Sequence, residues 1–134
     1  MKLTCIVIAA LTAAMAGAAS AQTLPSPNDP GWETIGRAED GKVYSIFPSR
    51  TVMERTTVRT MLRMASRPSL TSSYDTIVAV AVVDCASSAA GLGTMESYKA
   101  TRGFSESYEG PENPELVPIV DPAMLMVIRH VCGD

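Results

Sequence analysis

The 134-residue chain holds one histidine, one tryptophan and three cysteines, and these scarcities exclude more chemistry than the abundant residues suggest. A zinc cage takes four ligands drawn mainly from His and Cys. With Cys5 in the apolar N-terminal run and Cys85 and Cys132 expected to pair with each other, His130 is left without a free thiol and cannot supply such a cage. No HExxH helix, nucleophile elbow, phosphate loop or dinucleotide fingerprint occurs, and Gly91-Leu92-Gly93 lacks the remaining glycine spacing and the helix that should follow. No CxxC pair is present to make a dithiol redox centre. The reading is therefore a non-catalytic protein with no catalytic residue, no cofactor and no metal site. A carboxylate pair brought together only in space is the one enzymatic alternative left open.

The N-terminus sets the compartment. Met1-Lys2 gives a short positive start, and Leu3 through Ala19 carries no charge. Ala19-Ser20-Ala21 then presents small residues at the two positions that signal peptidase reads before Gln22. Residues 1–21 are read as a cleaved signal peptide, and the mature chain is expected in the periplasm, at the cell surface or secreted. A retained membrane anchor is the weaker alternative, because the apolar run is marginal for a span and the Pro-rich TLPSPNDPG follows it. Cys5 sits near the start of that run, not at its end, so no lipid anchor is expected. Residues 22–30 form a Pro-rich lead-in, and residues 31–134 a single domain. Losing Lys2 leaves ten Lys+Arg against fourteen Asp+Glu, a balance that does not suit nucleic acid.

Cleavage also leaves two cysteines, Cys85 and Cys132, in a chain bound for an oxidising compartment. They allow one intramolecular pairing. Closing that loop is worth about 4 kcal/mol in the chain-entropy picture, against a typical total of about 5–10 kcal/mol. A reactive thiol is the alternative.

Strands come first along the chain, a helix last. Trp32–Arg37 and Lys42–Phe47 flank the Glu39-Asp40-Gly41 turn, where Asp-Gly tolerates positive φ. Residues 51–65 fit both a helical stripe and a strand, and their β-branched Thr51, Val52, Thr56, Thr57, Val58 and Thr60 favour the strand. Ile77 to Val83 is an unbroken apolar run suited to a central strand covered on both faces. Its odd positions, including Ala79, Ala81 and Cys85, share one face, and the alanines leave room for a bulky neighbour. Gly91-Leu92-Gly93 is read as a turn, Met95–Arg102 as a strand and 105–117 as a loop. In the closing segment Asp121 suits an N-cap, Pro122 the first helical position and Gly133 the stop. Met124, Ile128 and Cys132 stack on one side, flanked by Leu125 and Val131. A bond from Cys132 to Cys85 would clamp this helix across the Ala79/Ala81 face. The fold class is α+β: an antiparallel sheet with a C-terminal helix packed on one face and tied to it by a disulfide.

Gly31-Trp32 with Gly36, Asp40-Gly41 with Val43-Tyr44, Ser73 through Asp84-Cys85, Pro118-Ile119 and Val131-Cys132-Gly133 occur in the order and spacing of the surface-adhesin protein E family. The chain resembles that family over about residues 31–134. The resemblance implies the same sheet and tethered helix, a homodimer, and binding of extracellular-matrix or serum proteins such as vitronectin and laminin. Phe47 and Leu116 depart from the pattern near sheet edges, where a partner is selected, so fold transfers further than ligand.

Two charged stretches remain as candidate contacts. Arg55, Arg59, Arg63 and Arg67 recur every four residues and would form a cationic ribbon if they point outward, meeting lipopolysaccharide, a glycosaminoglycan or an acidic protein. The plainer alternative is a solvated face or a charged edge that resists aggregation. Glu106, Glu109, Glu112 and Glu115 lack EF-hand order and read as an acidic loop, which in a dimer would be placed to meet those arginines. The function expected is an exported, adhesin-like binding protein contacting matrix or envelope proteins. The alternative is a periplasmic structural or envelope-maintenance protein with no host ligand.

Overall fold

The structure is a computed structural model and describes residues 23–67, 74–99 and 103–133. The signal-peptide reading of residues 1–21 and the last positions of the predicted 95–102 strand lie outside them. Eight strands form one antiparallel sheet: β1 (Glu33–Arg37), β2 (Val43–Ile46), β3 (Val52–Glu54), β4 (Thr57–Ala65), β5 (Thr76–Asp84), β6 (Ala89–Lys99), β7 (Gly103–Tyr108) and β8 (Val117–Pro118). The path runs β1-β2-β4-β5-β6-β7, with β3 added beside β4 and β8 beside β6. A short 3-10 turn at Pro48–Arg50 joins β2 to β3, and the one α-helix among the described residues, α1 (Pro122–Cys132), follows β8.

The apolar run predicted as a central strand is β5, and its partner β4 matches it along its whole length from Thr57↔Asp84 to Ala65↔Thr76. Because side chains alternate across a strand, this register sorts the core into two faces. On one face Tyr44, Ile46, Leu62 and Ala81 pack against Val127 of α1, and Val83 and Ala90 pack against Ile128. Small Ala81 lets the helix lie close, as the alanine spacing predicts. Gly36 does the same on β1, since a side chain there would collide with the Met126 sulfur.

The helix ends follow from local chemistry. Asp121 accepts a hydrogen bond from the Met124 backbone N–H at 3.1 Å, Pro122 opens the first turn, and Gly133 closes the last at φ 87°. The buried centre of its stripe is Val127, fully enclosed, with Ile128 beside it. The predicted stripe of Met124, Ile128 and Cys132, flanked by Leu125 and Val131, does pack on the core, and Val127 is the residue it left out. Cys85 and Cys132 are joined, with Cα atoms 5.7 Å apart, so the helix is tied to the sheet at its C-terminal end.

The opposite face is covered without a helix. Leu24 of the lead-in and Trp32 just after it form a strap that packs on Phe47, Met61 and Val80. Trp32 meets Phe47 edge to face at 5.1 Å. Three hydrogen bonds hold this strap: Arg50 Nη2 to the Thr23 carbonyl, the Trp32 indole N–H to the Ser26 carbonyl, and Arg63 Nη1 to the Pro27 carbonyl, at 2.7, 2.8 and 2.7 Å. Apolar burial and satisfied carbonyls together fix a segment that has no secondary structure of its own.

Three expectations need correction. Gly91-Leu92-Gly93 is not a turn: it lies inside β6, which starts at Ala89. The glycines are there because the 110–115 segment lies directly on them. A Cβ on Gly91 would stand 2.5 Å from the Glu115 carbonyl oxygen, and one on Gly93 would stand 2.9 Å from that of Pro111. Residues 105–117 are not all loop, since β7 reaches Tyr108 and Val117 pairs with Ala90. A polar edge strand has no alternating apolar face to announce it. Residues 51–65 form two strands, not one, folded back at Arg55-Thr56.

Candidate functional site

The four-residue arginine spacing does not become one continuous ribbon. Arg59 and Arg63 share the strap face of β4, about 13 Å apart at ordinary strand rise. Met61 lies between them and is buried under Phe47. Arg63 is half-buried. Its Nη1 and Nη2 donate to the Pro27 carbonyl and the Ser45 hydroxyl at 2.7 and 3.0 Å, and its guanidinium lies 5.2 Å from the Trp32 ring centroid. Its buried Nε has no hydrogen-bond partner. Burial lowers its pKa below the usual arginine value, against a cation that the strap needs charged. Arg63 is therefore a clamp on the strap. Arg67 lies beyond the end of β4, beside a separate recess of about 550 Å³ that Arg37, Asp40 and Ser66 also line.

Arg55 and Arg59 meet at the other end of the sheet. There a groove of about 750 Å³ opens on the strap face. Val52 and Glu54 of β3 pair with Arg59 and Thr57 of β4, so all four point to that face, and Val82 of β5 continues the floor. Asn113 forms the far wall. Arg55 sits at the hairpin tip with φ 60°, a left-handed conformation that costs a non-glycine residue of order 1 kcal/mol. Arg59 Nη1 donates to the Glu112 carbonyl at 2.9 Å and Nη2 to Asn113 Oδ1 at 3.2 Å. Both acceptors are uncharged. Neither groove arginine forms an ion pair with a carboxylate of a described residue. Glu54 is the one acid in the lining.

Two further clusters resolve into structural roles. Asp40, Lys42 and Asp121 border a recess of about 450 Å³ between the first hairpin and the start of α1. Two of its three carboxylates are already engaged: Asp121 caps the helix, and Asp40 accepts from the Lys42 N–H and ammonium, which lower its pKa, while that carboxylate raises the pKa of Lys42. Glu39 is the third. Tyr98 donates to Glu96 Oε1 at 2.7 Å, and burial, then that carboxylate, push its pKa up to about 12. His130 lies exposed on the last turn of α1. Of the acidic stretch, Glu112 contributes only its backbone carbonyl to the groove, while Glu106 lies on β7. No group of three metal-ligating side chains occurs among the described residues.

Sequence reasoning missed Asn113, Glu54 and Val52 as groove residues. The first lies 54 positions from Arg59, a separation that no local pattern bridges. The Pro111 and Pro114 that bracket Asn113, together with the two β6 glycines, are the signals of a segment built to lie flat on a sheet. No family model, no curated protein and no solved structure matches this chain.

Proposed function

We propose that this chain is an exported, non-catalytic binding module of the surface-adhesin protein E kind, which engages an extracellular-matrix or envelope protein through the disulfide-bearing end of its sheet. The observation that carries the reading is apolar exposure at both edges of that end. Val52 and Met53 on β3 are 63 % and 56 % exposed, and Val117 and Val120 at the β8 edge are 48 % and 85 % exposed. Edge strands with free backbone groups and exposed apolar side chains accept an added strand or a loop from a partner. A disulfide within the scaffold suits an oxidising compartment, and its tie to α1 holds both edges in a fixed relation. Among the described residues no helix is long and apolar enough to cross a membrane.

The decisive measurement is a pull-down of matrix and envelope proteins with the oxidised domain, beside Met53→Asp. Capture by the unaltered domain that the variant loses supports the edge as the binding surface. Capture that the variant retains removes β3 from the proposal. Protease treatment of intact cells assigns the setting: digestion of the protein supports adhesion at the surface, whereas a protected periplasmic pool supports the envelope-maintenance alternative.

A further inference from the structure

The groove beside the β3–β4 hairpin offers more than exposed charge. Arg59 uses two of its hydrogen-bond donors on Glu112 and Asn113, and a guanidinium carries five. Those two bonds fix the plane of the group and leave its remaining N–H donors unspent. Arg55 makes no hydrogen bond or ion pair with any described residue, although the backbone holds it at φ 60° on the groove rim. Two guanidiniums without carboxylate partners, one of them fixed, form a receptor for an oxyanion. A bare oxyanion would fill only a small part of about 750 Å³. The rest of the lining is suited to hydroxyl groups: the Glu54 carboxylate accepts, the Asn113 amide nitrogen donates, and Thr57 does either. Val52 and Val82 supply apolar surface for the C–H face of a ring.

We propose that this groove binds an acidic saccharide, with Arg55 and Arg59 receiving a sulfate or phosphate ester and Glu54, Thr57 and Asn113 receiving the hydroxyls of the sugar. The site shares β3 with the protein-binding edge but uses its other face: Val52 and Glu54 face the groove, whereas Met53, which pairs with Val58, faces the helix side of the sheet. The shared chemistry has two sources, a sulfated polysaccharide chain and the phosphorylated sugar of a lipid headgroup.

Titration of the mature, oxidised protein with a sulfated disaccharide, a phosphorylated disaccharide, the neutral disaccharide and inorganic sulfate tests this, read by calorimetry and by amide shifts. One or both charged disaccharides bind saturably and shift the amides of Thr57 and Asn113; the tighter of the two identifies the source. Arg55→Gln lowers that affinity about tenfold, the worth of one charge-assisted hydrogen bond. Arg59→Gln lowers it at least as far, and Arg67→Gln, in the separate recess, leaves it unchanged. Because Arg59→Gln also loosens the 112–113 segment, the Arg55 variant is the cleaner arm. Equal affinity for the neutral disaccharide or for inorganic sulfate overturns the proposal. So does an unchanged affinity in Arg55→Gln, or the absence of saturable binding by either charged sugar.

Discussion

Replacing Gly91 by alanine tests the packing of the 110–115 segment and the fixing of Arg59 at once. In a strand with free space such a change stabilises by about 0.4–1 kcal/mol, because alanine restricts the unfolded chain. Here the new Cβ would lie 2.5 Å from the Glu115 carbonyl oxygen and 3.2 Å from the Pro114 Cβ. The first obstacle is backbone, which cannot rotate aside as a side chain does, so the segment must lift by several tenths of an ångström. Overpacking of this kind costs about 1–3 kcal/mol. The lift also stretches the 3.2 Å bond from Arg59 to Asn113, which lies two residues before Glu115. The expected net effect is a loss of about 1–2 kcal/mol, or roughly 4–10 °C in Tm for a domain of this size. Urea unfolding of Gly91→Ala, Arg59→Gln and the double variant measures it. The double variant should lose less than the summed single losses, since both changes act on the Arg59–Asn113 bond. A stabilised Gly91→Ala protein, or strictly additive losses, would refute the reasoning.

Other outcomes follow from the same contacts. Cys85→Ser and Cys132→Ser should each destabilise by about 4 kcal/mol, the chain-entropy worth of the 47-residue separation, and the double variant should be no worse than either; losses that add would break the link between the two sulfurs and stability. Tyr98 has its folded pKa raised, so its contribution is fully present below pH 10.0 and is lost as pH climbs towards about 12. After discount for solvent screening that contribution is below about 2 kcal/mol. Alkaline unfolding curves of Tyr98→Phe should therefore be flatter over this window, and a slope equal to the parent's would assign the effect elsewhere. Arg63→Leu should cost about 2 kcal/mol through the lost bonds to Pro27 and Ser45, and should speed proteolysis within residues 24–31. An unchanged cleavage rate there would remove Arg63 as the strap's clamp.

What was legible in the sequence was what depends on neighbours along the chain. Ile77–Val83 announces β5 because burial on both faces demands an unbroken apolar run. Asp121, Pro122 and Gly133 announce α1 because capping is local. Asp40-Gly41 announces the first hairpin for the same reason. The second hairpin was hidden, since Arg55-Thr56 carries none of the usual turn residues and its positive φ falls on an arginine. Gly91 and Gly93 misled because close approach of a distant segment and a turn use the same residue. The arginine row was visible but its division was not. Trp32 and Ser45 claim Arg63, Asn113 holds Arg59, and the strand ends before Arg67. Those partners lie up to 54 residues away.

The strap places the sole indole between a guanidinium and the Phe47 ring, on the face opposite the disulfide. Tryptophan emission is therefore an optical gauge of one side of the sheet alone, while circular dichroism sums over the whole backbone. Melting curves followed by the two signals will overlay if both faces give way together. If the lead-in peels off first, the emission will shift ahead of the ellipticity, in a population still stapled at Cys85 and Cys132.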